Sequence, residues 1–177
     1  MNPSLVLVGM FAMLPLSPKH GHKPAFPTSD YKPVAVYDDK RDPAKDLHEA
    51  LAEAKRSKRR VLLEVGGDWC LWCHIMDNLF DSHPGLAAFR EEHYVRVKID
   101  YSQENPNEAF LSHYPRISRY PHFFVLDAEG NLVCSQDTRK FENGQTYNAR
   151  KVGAFLKRCT PAPSHSAPDT TWRPGQT

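Results

Sequence analysis

Between residues 34 and 159 the hydrophobic positions recur with two spacings, those of helix and of strand. Residues 34–37 are a short β-prone run. Asp42-Pro43 reads as an N-cap followed by proline at the first helical position, and Leu47, Leu51 and Ala54 then recur at helical spacing. This predicts a helix over 43–58. Residues 61–65 (VLLEV) are nearly all apolar, as in a strand at the buried centre of a sheet, and Gly66-Gly67 ends them. A helix is expected to start at or just after Cys70 and to run toward Phe80, with a shorter one over 85–92. Residues 94–101 alternate, with Val95, Val97 and Ile99 on one face, and 108–114 are helical in pattern. Strands over 123–126 and 132–135 flank the turn 127–130, a hairpin signal, and Val152, Phe155, Leu156 and Cys159 line one face of a last helix.

The order is β-α-β-α-(α)-β-α-β-β-α, without an internal repeat. Alternation closed by a hairpin implies an α/β fold, a central mixed β-sheet flanked by helices on both faces.

Length and composition narrow this to one domain with tails. The chain has 177 residues, 40% apolar and 25% charged, with a formal net charge of +2, an ordinary globular balance. Ten of the fifteen prolines lie before Val34 or after Cys159, which sets the packed domain at 34–159. The tail 160–177 has too few apolar groups to offset its ordering entropy and is expected to be disordered. The basic run 55–60 reads as the solvated C-terminal end of a helix, where cations complement the dipole, so no nucleic-acid partner is expected. Residues 5–16 (LVLVGMFAMLPL) are as long as a signal-peptide core and too short to span a bilayer. No Lys or Arg precedes them and no clean cleavage site follows. Export is favoured over a cytoplasmic location because the polar stretch 17–33 follows like a linker; an apolar extension packed on the domain and an uncleaved membrane tether are the other readings.

The chemistry sits at Trp69-Cys70-Leu71-Trp72-Cys73. Two thiols at this spacing close a disulfide with little backbone movement. The first, at a helix N-terminus, meets unpaired amides and a dipole worth about 0.3–2 kcal/mol to an anion. That favours its thiolate. Cys70 is thus the candidate nucleophile and Cys73 the resolving thiol. The redox equivalent is then the cysteine pair itself, and no organic cofactor or metal is expected.

With its strand and double glycine, the stretch 61–73 (VLLEVGGDWCLWC) resembles the strand–WCxxC–helix core of the thioredoxin superfamily, and 42–159 as a whole is similar to bacterial thioredoxin-like domains of the disulfide-reductase kind. The resemblance implies a protein-disulfide oxidoreductase, a monomer in the reductase direction, with protein clients and an upstream electron donor. It makes Glu64, six residues before Cys70, a buried acid that relays a proton to the resolving thiol. It makes Tyr120-Pro121 a cis-proline loop lying against the disulfide, and residues 97–100 the central strand between these elements. Three departures leave the potential and partner open: Leu71-Trp72 stands where Gly-Pro is usual, Glu64 where Asp is usual, and Tyr120 where a small aliphatic is common.

Each assignment has a plainer counterpart. Glu64 as a strand-end carboxylate would reach water, and Pro121 would be trans, since only ~5–6% of X–Pro bonds are cis. Trp69 and Trp72 are either packing or, the favoured reading, the apolar rim of the site. Asp77, one turn after Cys73, is a weak candidate acid. Cys134 and Cys159 are by default buried free thiols; a disulfide between them goes with export. Cys70-x-x-Cys73-His74 also fits c-type haem attachment, though nothing around it explains a haem. A zinc site on the same residues lacks a fourth ligand, and His20-Gly21-His22 is first a flexible tail. A last rival is a non-enzymatic binding module whose disulfide is a static staple.

Overall fold

A computed structural model of the chain describes residues 30–160. The expectations for residues 5–16, the linker, the His20-Gly21-His22 stretch and the tail lie outside it.

Helix α1 (Pro43–Ser57) starts as its sequence dictates: Asp42 Oδ1 accepts from the amides of Ala44 and Lys45 at 2.9 and 3.3 Å, ahead of Pro43. It ends at Lys58, in the left-handed region at φ 56°. The basic run there is more engaged than a solvated helix end. Arg56 and Arg59 each bond Glu53 at 2.7 Å, and Arg60 donates to the Cys159 carbonyl oxygen. Glu53 is a buried acid on the last turn, and it draws these cations in.

The sheet is mixed and four-stranded, in the order β2-β1-β3-β4: β1 (Arg60–Gly66), β2 (Tyr94–Asp100), β3 (His122–Leu126) and β4 (Leu132–Asp137). β1 runs parallel to β2 and antiparallel to β3, and β4 pairs antiparallel with β3. The stretch 97–100, matched by resemblance to a central strand, therefore lies at the end of the ladder. Val34 alone bridges to Val97 beyond it, so 34–37 does not form a strand; Pro33, which lacks an N–H, precedes it.

Because β1 is buried on both faces, its near-continuous apolar run serves two layers. Val61, Leu63 and Val65 pack with Ala50 and Ala54 of α1 and with Phe124. Leu62 faces the opposite layer. That layer holds α2 (Leu71–Ser82), α3 (Pro84–His93) and α5 (Ala149–Arg158), with Phe80, Phe123 and Phe155 at its centre.

Two further stretches depart from the sequence pattern. Helix α4 is four residues, Glu108–Leu111, rather than 108–114. Ser112 turns its hydroxyl onto the Ala109 carbonyl at 2.7 Å, and Pro115 disfavours helical backbone at Tyr114. Between β4 and α5 the chain adds a 3₁₀ turn (Thr138–Phe141) and a small hairpin of β5 (Glu142–Asn143) and β6 (Thr146–Tyr147). These strands are too short to show a period, and Gly144 at φ 64° makes their turn.

Candidate active site

Cys70 is the N-cap of α2, in extended backbone, and its sulfur accepts from the Cys73 amide at 3.2 Å. The two sulfurs are joined in a disulfide across a Cα–Cα distance of 5.2 Å. The pair thus sits where the unpaired amides of the helix converge. Cys70 is 4% exposed and Cys73 1%, so both residues of the pair are buried and Cys70 is the less covered of the two. His74, invoked for haem, points elsewhere: its Nε2 lies 2.7 Å from the Asp68 carbonyl oxygen.

Aromatic side chains flank the CxxC turn in sequence and meet one another across three segments. Trp69 and Leu71 are well exposed, and the Trp69 indole N–H donates to the Tyr101 carbonyl at 2.7 Å. Its ring meets Tyr120 edge-on at 5.7 Å, and Tyr120 stacks on Tyr101 at 4.8 Å. Trp72 turns inward, half-buried against Tyr147 at 5.1 Å. The Tyr120–Pro121 bond is cis. Buried Thr138 donates its hydroxyl to the Pro121 carbonyl at 2.6 Å, which ties the loop to the 3₁₀ turn.

Beneath the disulfide lies a layer of buried charge. Glu64 is 2% exposed, so the reading in which it reaches water fails. The guanidinium of Arg90, itself buried, lies 3.7 Å from Glu64 Oε1 and 3.8 Å above the Phe80 ring. Lys98, also buried, pairs with Asp77 at 2.6 and 2.8 Å. Asp77 is therefore not a freely solvated side chain but the counter-ion of a buried lysine. Lys98 Nζ also stands 4.5 Å from the ring centroid of Tyr37. Burial, reinforced by Glu64 and Asp77, holds the Tyr37 hydroxyl well above its ordinary pKa, so it stays protonated.

Arg90, Lys98, Tyr37 and Thr138 were not read from the sequence as site residues. Lys98 carried a signal: it falls out of phase with Val95, Val97 and Ile99 and so faces the α2 side. The other three come from separate elements, and nothing local marks them.

Cys134 and Cys159 form a second disulfide, Cα–Cα 6.4 Å, in place of the free thiols expected by default. The end of α5 reaches β4, where Arg158 donates to Gln136 at 3.4 Å, and this brings the two cysteines together. Among the described residues no group of His, Cys, Asp and Glu is placed to hold a metal ion.

Comparison with known proteins places residues 42–128 in the thioredoxin-like family model. The chain is 28% identical over 94 residues to the disulfide bond reductase DsbH of Chlamydia pneumoniae, which covers 48% of this chain and 56% of that protein. It is 27% identical over 88 residues to the thiol:disulfide interchange protein DsbD of Vibrio vulnificus, 50% of this chain and 15% of that one. The chain thus spans about half of DsbH and a small part of DsbD. Among solved structures, a disulphide isomerase from Xylella fastidiosa superposes with a TM-score of 0.60 at 23% identity, over 69% of this chain and 94% of that one. The oxidised C-terminal domain of DsbD from Neisseria meningitidis superposes with a TM-score of 0.52 at 19% identity, over 71% and 99%.

Proposed function

We propose, on the match of residues 42–128 to the thioredoxin-like family model and the likeness to DsbH, that this chain carries a thioredoxin-superfamily domain of the disulfide-reductase type and is a thiol–disulfide oxidoreductase that reduces protein disulfides through Cys70 and Cys73. The observation that carries the reading is the Cys70–Cys73 disulfide closed at the N-terminus of α2. The reduced Cys70 thiolate attacks a client disulfide and one client sulfur leaves as thiolate. Cys73 then attacks Cys70 Sγ, the mixed disulfide breaks, and the second client sulfur leaves with the electron pair. The dithiol is oxidised and the client disulfide reduced. An upstream donor must return two electrons to the pair, and no organic cofactor takes part. Trp69, Trp72, Tyr120 and cis-Pro121 shape the groove for an extended client segment. Glu64 assists proton transfer at Cys73.

The reductase direction draws on the likeness to DsbH, and export on the Cys134–Cys159 disulfide, which persists in oxidising compartments. Among the described residues no helix is long and apolar enough to cross a membrane.

A redox titration of Cys70–Cys73, read by alkylation mass shift, tests the direction. A potential near about −270 mV fits a reductase, and one near about −120 mV an oxidant. Cys70→Ala is expected to abolish disulfide exchange with the fold intact; retained turnover would refute the assignment. The low exposure of Cys70 gives the binding-module reading its one support, and catalysed exchange by the natural protein would remove it.

A further inference from the structure

Gly66 ends β1 directly beneath the active-site helix. A methyl group built on its Cα would lie 2.5 Å from Cys73 Sγ and 2.9 Å from the Tyr37 hydroxyl oxygen. The sulfur of the resolving cysteine and the phenol oxygen therefore converge on the one small space that glycine leaves open. Tyr37 comes from the segment before α1, far from the CxxC in sequence. Its ring is held by Lys98 on β2, which Asp77 of α2 fixes in turn.

We propose that the Tyr37 hydroxyl is a hydrogen-bond donor to Cys73 once the disulfide opens, and that it stabilises the thiolate with which Cys73 attacks the mixed disulfide. This rests on the exchange chemistry proposed above for the same two cysteines. In the disulfide Cys73 carries no charge, and the hydroxyl has little to bind. On reduction, or in the mixed disulfide, ionisation of Cys73 creates a buried anion in a site that water scarcely reaches. A neutral donor beside it offsets the lost hydration. Tyr37 suits this role because it holds its proton: burial and the nearby Glu64 and Asp77 disfavour the phenolate. It is thus a donor to the sulfur and not the base that removes its proton.

The charged and titratable groups that act on Tyr37 come from every neighbouring element. They are Glu64 on β1, Arg96 on β2, Asp77 on α2 and the phenol of Tyr147 on β6, with Lys98 of β2 over its ring and Arg90 of α3 against Glu64. Glu64 is countered by Arg90 and Asp77 by Lys98. Arg90 and Lys98 are thereby paired with carboxylates, whereas the buried Nε of Arg96 has no hydrogen-bond partner; Tyr37 is the neutral donor that shares the space at Gly66 with the sulfur.

The test uses full-length protein in a Cys70→Ala background, where Cys73 is the thiol to be titrated and Cys134–Cys159 stays closed. Thiolate formation is followed against pH by absorbance near 240 nm and by the rate of iodoacetamide alkylation. Tyr37→Phe removes one oxygen and keeps the ring under Lys98; a urea midpoint confirms the fold. The expected result is an upward shift of the Cys73 titration of about one unit, tenfold less thiolate on its rising limb, with Cys70 in a Cys73→Ala background unmoved. Superimposable Cys73 curves with and without the hydroxyl overturn the proposal, as does an equal shift at both cysteines. A shifted Cys73 in a natural protein that catalyses no exchange would sustain the hydrogen bond and refute the oxidoreductase reading.

Discussion

Lys98 Nζ lies 2.6 Å from Asp77 Oδ2, the lysine buried at 4% side-chain exposure and the aspartate at 32%. A strand and the active-site helix are therefore joined by an ion pair one turn below Cys73. A buried cation is costly unless paired, and losing its partner leaves that cost uncompensated.

Asp77→Asn is expected to destabilise the oxidised protein by about 1–3 kcal/mol, below the ~3–5 kcal/mol of a fully buried pair because the aspartate is partly solvated. Lys98→Met in the same chain should recover part of the loss. Urea denaturation of the single and double variants checks this, and additive losses would show that the pair is not coupled.

The Cys134–Cys159 disulfide closes a chain separation of 25 residues around the 3₁₀ turn, the small hairpin and α5. Replacing both cysteines by serine is expected to cost about 3 kcal/mol in the chain-entropy account. The Cys70–Cys73 potential should stay unchanged, since the second bond lies at the other end of α5 from the rim. A potential that moved with the double variant would show that the two disulfides communicate.

Gly66→Ala places a methyl where Cys73 Sγ and the Tyr37 hydroxyl already sit. Overpacking of this kind costs about 1–3 kcal/mol, and here the atoms that must yield are the reacting sulfur and its neighbour. Exchange should slow more than the stability loss explains, as read by turnover at a temperature where the variant remains folded. Full activity would mean that the sulfur has another place to go.

His122, directly after cis-Pro121, is buried, and burial lowers its pKa against a small opposing effect from Asp137. Below about 6.5 the unfolded chain takes up this proton while the folded one resists it. The neutral ring therefore favours the folded state at and above neutral pH, and that advantage is lost as pH falls below about 6.5 toward the lowered folded value. In His122→Asn this part of the acid-side loss should vanish when urea midpoints at pH 7 and pH 5 are compared. An unchanged difference between the two pH values would remove His122 from the acid response.

The order of the main helices and strands followed from the sequence because each carries its own signal. Asp42-Pro43 caps α1, the VLLEV run can be buried on both faces, and Cys70 stands at a strand-to-helix junction that presents a thiol to unpaired amides. Those are local or periodic properties, and they also sufficed to single out Cys70 and Cys73 as the candidate chemistry. Tertiary structure alone decided what surrounds them. Whether Glu64 met water or an arginine depended on α3 crossing beneath β1. Lys98 found Asp77, and Cys134 found Cys159, through packing that no spacing encodes. Tyr37 reached the space at Gly66 that the resolving sulfur also borders because an irregular segment beside β2 brings it there. Burial and pairing are sums over distant parts of the chain, so a buried charge's partner is legible only once the layers are in place.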